Sequence, residues 1–304
     1  MKKIVILSWW TWDEREIALK SVNYFKDNIG REYDYYELPE QLEEFISNRN
    51  KYNLAIPIFH WEYGEDGRIF AMLDILKIPH ALSPYSTHSL CLDKYKSNIL
   101  AEQMWLKVPK QFLVHRRENK YCRTIKDIAE KKIGFPMIMK PNKWWSSYHT
   151  YKANNAEEYL KYFDIIETDS SDDLLLQEFI IAEEYSVPLV AWEALPIMKL
   201  EKQELDMFFD YESKYESEAK IKEIFPDITS DLKSQLEQQS KDIYKLFWIK
   251  WFCRIDFLVD QKQNIYFLEV NTIPGMSPAS IVPKSWKETW WIPEELIQKI
   301  ISDT

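Results

Sequence analysis

Leu268-Glu269-Val270-Asn271-Thr272-Ile273-Pro274-Gly275-Met276-Ser277 reads as the end of a strand running into a loop, and it follows closely on a second strand pattern, Phe252 to Val259. Ile265 to Asn271 and Phe252 to Val259 are joined through Asp260-Gln261-Lys262-Gln263, which predicts an antiparallel hairpin. Side chains two apart in a strand share a face, so Arg254 pairs with Asp256 and Glu269 with Asn271. The short turn makes the two pairs neighbours. Two carboxylates and an amide oxygen are hard ligands of the kind Mg²⁺ takes, its other positions filled by water and nucleotide phosphates. Arg254 beside them suits a phosphate or an oxyanion. Taken alone, the same residues also fit the wet face of an ordinary hairpin.

Working outward, Lys3 to Ser8 predicts a buried strand, and Thr11-Trp12-Asp13-Glu14 a capping box opening a helix through Ile17, Val22 and Phe25. Leu54 to Phe59 is a second short apolar run, followed by the loop His60 to Gly67 and a helix from about Arg68 to Leu76. This β-then-α order predicts an N-terminal lobe of Rossmann type, with ligand loops at the C-terminal ends of its strands. A helix is expected from Leu92, and Phe135 to Pro141 and Leu174 to Ile181 read as strands. Glu201 to Pro226, polar and aromatic without period, predicts a long functional loop. Ser230 to Phe247 predicts a helix.

The 304 residues carry 39 basic and 49 acidic side chains, a formal charge of -10, and are 46% hydrophobic. That disfavours an extended contact with nucleic acid or an anionic membrane, and no run approaches the roughly 18 apolar residues of a membrane span. The apolar start to Trp10 breaks at once in Asp13-Glu14-Arg15-Glu16, so it is read as a strand and not as a signal peptide. Cys91, Cys122 and Cys253 lie far apart, which suggests neither a disulfide framework nor a zinc site and fits the cytoplasm. His80, His88, His115 and His149 have no ligand-like spacing, and Tyr33 to Tyr36 reads as packing.

The string from Leu268 to Ser277 resembles the ATP-grasp signature of the D-alanine–D-alanine ligases. The resemblance covers nearly the whole chain, in family order: Asp13 to Glu16, His60 with Gly64-Glu65-Asp66-Gly67, Leu92-Asp93-Lys94, Met139-Lys140-Pro141, Ser146-Ser147, Asp210 to Tyr215 and Arg254-Ile255-Asp256. It implies an α/β, three-lobed ATP-grasp fold: residues 1–88 a Rossmann-like domain, 89–180 a central lobe, and 181–304 a C-terminal lobe with metal site and mobile loop. It implies a homodimer that phosphorylates one D-alanine on its carboxylate with ATP and lets a second D-alanine attack the acyl phosphate.

By that resemblance Lys94 and Lys140 touch the nucleotide phosphates, Glu178 the adenine edge and Glu184 the ribose. Asp256, Glu269 and Asn271 hold two Mg²⁺ ions, with Mn²⁺ able to replace them. Arg254 and the Gly275 N–H face the oxyanion, Ser280 the carboxylate of the second substrate and Glu14 the ammonium of the first. His60 and Lys214 line the substrate site. Ser146 and Tyr215 link with Glu14 under the mobile loop, and Tyr215 resembles the branch that uses alanine, not lactate. A ligase joining D-alanine to a hydroxy acid or another amino acid, and a nucleotide-binding relative without catalysis, are the alternatives.

One feature of composition departs from the family. Glycine at an ordinary 7% would number about 21, yet the chain has 5 glycines beside 13 tryptophans. Trp9, Trp10, Trp61, Trp105, Trp145, Trp192, Trp248, Trp251 and Trp290 fall where the family pattern has glycine, and Trp12 and Trp144 join them. Such loops use glycine because it permits positive φ and close backbone approach to phosphate. The pattern is the one expected when UGA codons meant as glycine are written as tryptophan. Tyr148-His149, after Ser146-Ser147, is a second departure, where the family has a small residue and glycine.

Overall fold

The computed structural model describes residues 3–9, 15–60, 62–116, 122–144, 149–202, 221–289 and 293–303. Strand β1 (Ile4–Trp9) is apolar at every position from Ile4 to Leu7 because it is the central strand of a parallel sheet ordered β2-β1-β3, with β2 at Tyr33–Leu38 and β3 at Leu54–Ile58. A parallel strand covered on both faces has no wet side, and Ile4, Val5, Ile6 and Leu7 are wholly buried. Helices α1 (Arg15–Asn28), α2 (Leu42–Asn48) and α3 (Arg68–Ile75) complete this region.

A single helix from Leu92 was the expectation; the chain instead makes two. Helix α4 (Tyr85–Leu92) stops at Asp93, which has left helical geometry at ψ 90° and caps helix α5 (Lys94–Gln103) by accepting the Lys96 N–H. A capping aspartate competes with the backbone for hydrogen bonds, so it breaks the helix where periodicity continues.

The second sheet is antiparallel, in the order β4-β7-β5-β6: β4 Gln111–Val114, β5 Met137–Pro141, β6 Tyr151–Ala153 and β7 Leu174–Glu178. Helices α6 (Cys122–Lys132) and α7 (Ala156–Asp169) cover it through Ile125, Ala129, Tyr159, Phe163 and Ile166. The strand expected over Leu174 to Ile181 ends at Glu178, and a new strand starts at Ala182 in the third sheet.

That sheet runs β11-β10-β8-β12-β13, with β9 added on β8. Its members are β8 (Ala182–Val190), β9 (Glu193–Ala194), β10 (Met198–Lys202), β11 (Ile221–Ile224), β12 (Phe252–Asp260) and β13 (Ile265–Asn271), backed by α8 (Ser230–Leu246). The expected long loop is therefore flanked by two paired strands; its middle, with Lys214 and Tyr215, lies outside the described residues.

Two short helices follow, α9 (Ile281–Lys287) and α10 (Pro293–Asp303). Val282, Trp286, Ile297 and Ile301 from them join the core of the first sheet, whereas Cys91 and Ala101 from α4 and α5 join the core under β12 and β13. The C-terminal helices thus return to the first sheet, and α4 and α5 pack under the third. Among the described residues no helix is long and apolar enough to cross a membrane. Cys91 and Cys253 are buried free thiols.

Candidate active site

The hairpin sets the geometry. In β12 and β13 Arg254 lies opposite Asn271 and Asp256 opposite Glu269, followed by a register shift between Asp256 and Phe257. The period-2 reading therefore places all four on neighbouring positions of one face. Arg254 grips Asp256 from two nitrogens, Nε at 3.0 Å and Nη2 at 2.8 Å, and the Ser186 hydroxyl on β8 donates to the same carboxylate at 2.6 Å. Asp256 and Asn271 are each only 3% exposed.

Two lysines approach from other elements. Lys94 opens α5 and sits 3.6 Å from a Glu269 oxygen, while its ammonium donates to the Trp144 carbonyl at 2.5 Å. Lys140 is at the buried end of β5. Burial pushes its pKa down to about 8, against the pull of Glu269 and Glu184 and helped by the repulsion of Lys94. Burial alone would raise the Glu269 carboxyl, but Lys94, Lys140 and Arg254 outweigh it and hold it below the usual range. Arg254 is raised despite its burial by Asp256, Glu269 and Glu184. Lys94, Lys140, Glu184 and the hairpin's Arg254, Asp256 and Glu269 thus form one mixed-sign cluster gathered from four parts of the chain.

Position in this cluster depends on residues that the sequence reading left out. The Asn142 side chain accepts the Tyr95 N–H at 2.9 Å and donates to Asp93 at 2.8 Å, locking the start of α5 to the end of β5. Asn98 donates to the Leu268 carbonyl at 3.1 Å, tying the same helix to β13. Ser186, Asn142 and Asn98 are all nearly buried. Their signal in the sequence is weak, because a polar residue next to an apolar run looks the same whether it faces water or a partner. Glu65, buried between Gly64 and Gly67, lines a small hollow of about 10 Å³ with Lys94, Glu269, Asn271 and Thr272, and the sequence reading gave it no role of its own.

A second group flanks the cluster. His60 Nε2 lies 2.9 Å from the Ser21 hydroxyl, which accepts the Met276 N–H at 3.1 Å. Burial pushes the His60 pKa down to about 4, over the opposing pull of the Ile273 backbone, so the ring is neutral and Ser21 can donate to it. Gly275 follows in the same loop. A Cβ there would stand 2.7 Å from the Ser280 hydroxyl, so glycine is favoured by close approach to that side chain and not by φ. Ser280, the residue before α9, bonds the Ser277 hydroxyl at 2.8 Å and leaves the helix end without a side-chain cap.

Glu178 stands apart from the cluster: it accepts the Lys110 N–H at 2.9 Å and pairs with the Lys110 ammonium at 3.5 Å. Glu14, Ser146, Lys214 and Tyr215 lie outside the described residues. The other histidines match the structural expectation in part: His88 stacks on Phe70 and bonds the Thr272 hydroxyl at 2.7 Å, immediately after Asn271.

The donor set suits a hard divalent cation. Asp256 and Glu269 face each other across the hairpin, and Asn271 Oδ1, which accepts the Ile273 N–H at 3.0 Å, keeps its second lone pair. Among the described residues no group of three or more His, Cys, Asp or Glu could hold a metal.

Comparison with known proteins bears on family and fold. The family described as D-ala D-ala ligase C-terminus matches residues 100–302. The D-alanine–D-alanine ligase of Fervidobacterium nodosum is 30% identical, with 95% of each chain covered. The crystal structure of the Bacillus anthracis D-alanine–D-alanine ligase complexed with ATP superimposes with a TM-score of 0.84 at 21% identity, covering 99% of this chain and 97% of the other. The VanG D-Ala:D-Ser ligase of Enterococcus faecalis gives 0.82 at 20%, covering 99% of each. The family match over residues 100–302 and the relative that is 30% identical over 95% of the chain place it in the D-alanine–D-alanine ligase family, with its ATP-grasp fold.

Proposed function

We propose that this protein joins two D-alanine molecules at the expense of ATP, supplying a dipeptide for peptidoglycan. The observation that carries the reading is the register of Asp256 against Glu269, flanked by Arg254, Lys94 and Lys140. Lys94 and Lys140 bind the triphosphate, with Glu184 at the ribose and Glu178 at the adenine edge. Asp256, Glu269 and Asn271 hold two Mg²⁺ ions, which when bound neutralise phosphate charge. Glu14 fixes the first ammonium beside His60 and Lys214, and the Ser280 hydroxyl takes the second carboxylate. Arg254 and the Gly275 N–H stabilise the oxyanion formed when the second amine attacks the acyl phosphate. Ser146 and Tyr215 order the loop that excludes water from that intermediate.

Three lobes with limits at 88 and 180, a homodimer and a cytoplasmic location belong to the same proposal. The test is phosphate release with D-alanine, L-alanine, D-serine and D-lactate in parallel. It is run on the chain as written and on one with glycine at 9, 10, 61, 105, 145, 192, 248, 251 and 290. Turnover greatest with D-alanine supports the reading; turnover only with D-serine or D-lactate replaces it by a different second substrate.

A further inference from the structure

Four tryptophans stand on backbone that favours glycine. φ is 65° at Trp105, 76° at Trp192, 53° at Trp248 and 70° at Trp251. Among the described residues the other non-glycine positions at positive φ are Tyr63, Lys77, Leu82, His149, Ala191 and Gln263, so no other type recurs there. Positive φ is uncommon for side-chain-bearing residues and an outlier for bulky ones.

The local motifs sharpen the point. At the end of α5 the Trp105 N–H bonds the Glu102 carbonyl at 3.0 Å and the Leu106 N–H the Ala101 carbonyl at 3.2 Å. At the end of α8 the Trp248 N–H bonds Lys245 at 3.2 Å and the Ile249 N–H bonds Tyr244 at 3.0 Å. These paired bonds close a helix around one left-handed residue, for which glycine is the usual choice. Ala191 and Trp192, at φ 47° and 76°, are the two central residues of the hairpin turn between Val190 and Glu193. A two-residue turn with both φ positive prefers glycine in second place. Trp251 precedes β12, and its carbonyl accepts the Ala191 N–H at 2.6 Å, so the last two sites share one corner.

Packing gives two of the four indoles little in return, whereas Trp192 is half-exposed against Tyr244 and Trp251 is buried in the core. Trp105 is 95% exposed and Trp248 77%. Trp286 is the contrast: it lies inside α9, is buried, and joins the core with Val282, Ile297 and Ile301. Tryptophan is encoded by UGG alone, one base from UGA. We propose that the ribosomes making this protein read UGA as glycine, so that the working chain has glycine at 105, 192, 248 and 251 and tryptophan at 286. The proposal requires a glycine-charged transfer RNA with anticodon UCA. It does not depend on which substrates the enzyme joins.

Two measurements test it. The gene is expected to show UGA at 105, 192, 248 and 251 and UGG at 286, and peptides of the protein from its own cells are expected to have the mass of glycine at the four positions. UGG, or tryptophan mass, at these positions overturns the proposal. Separately, the triple variant W105G/W192G/W248G, which removes exposed or half-exposed indoles and leaves buried Trp251 in place, is expected to melt roughly 10 °C above the chain as written. W286G is expected to melt below it. A triple variant that melts at or below the unchanged chain overturns the proposal; soluble protein from the triple variant where the unchanged chain is insoluble supports it.

Discussion

The two sides of the site are built by different means. The hairpin side is regular: β12 and β13 fix Arg254, Asp256, Glu269 and Asn271 by register, and all its charges have partners. The loop side, from Ser21 and His60 to Gly275 and Ser280, is neutral and held by single hydrogen bonds between residues 39 and 255 positions apart. A ladder positions charge cheaply, because neighbouring strands already fix backbone and side-chain direction. A loop positions by contact, so each of its parts is specific to this one place.

The hairpin side should break hardest. E269Q removes the carboxylate that balances Lys94 and Lys140, and we expect turnover with ATP and D-alanine to fall by about 10³-fold, on the order of 4 kcal/mol in the barrier. Its melting temperature should fall as well, since Lys94 and Lys140 lose a buried counter-charge, but the strand pairing does not use that side chain and the fold should persist. A variant within tenfold of the parent would show that the hairpin charges are an ordinary wet face after all.

The same contrast explains what could be read from the sequence. Alternation in Phe252 to Asn271 gave the hairpin and its facing pairs, because a strand leaves side chains only two directions. Apolar runs gave β1, β3 and β5 for the same reason. What was illegible depended on distant partners: Asp93 breaking a helix that periodicity would continue, Ser186 behind Asp256, and Asn142 bridging α5 and β5. Ser21 is 39 residues from His60 and 255 from Met276, and nothing local marks it. The tryptophans were visible as a shortage of glycine, but it takes backbone φ and exposure to separate Trp105 and Trp248 from Trp286.

The loop side should reveal itself through pH. His60 has a folded pKa of about 4, below the ordinary value near 6.5, because burial penalises its charged form. Stability from the neutral ring is therefore complete above about pH 6.5 and is lost as pH falls toward 4, by roughly 3 kcal/mol. Unfolding midpoints measured between pH 4 and 7 should fall less steeply in H60Q than in the parent. His88, pushed to about 3 by burial, adds its own dependence in both proteins. An unchanged slope would mean that His60 charges freely in the folded state.

Next in size is the partner behind the hairpin. S186A removes the 2.6 Å bond that fixes one Asp256 oxygen and leaves Arg254 to orient the carboxylate alone. Losing such a supporting bond to a metal ligand costs about 10- to 100-fold in affinity. Mn²⁺ titration followed by electron paramagnetic resonance reads this directly, without turnover. Unaltered Mn²⁺ affinity in S186A would confine Ser186 to packing and leave the hairpin side self-sufficient.

The smallest expected effect on the fold is at Gly275, and it separates the two sides most cleanly. The added Cβ of G275A meets only the Ser280 hydroxyl, at 2.7 Å, and that side chain can turn away by giving up its bond to Ser277. Because φ at Gly275 is not in the left-handed region, no backbone strain is added, and stability should drop by about 1 kcal/mol. The consequence for the reaction is larger than for the fold, since the displaced hydroxyl is the one assigned to the second substrate. The KM for the second D-alanine should therefore rise about tenfold while ATP affinity, set by the hairpin side, stays constant. If ATP affinity fell in step with D-alanine affinity, the two sides would be coupled through Asn271 to Gly275, and the division into a ladder that holds charge and a loop that holds substrate would not stand.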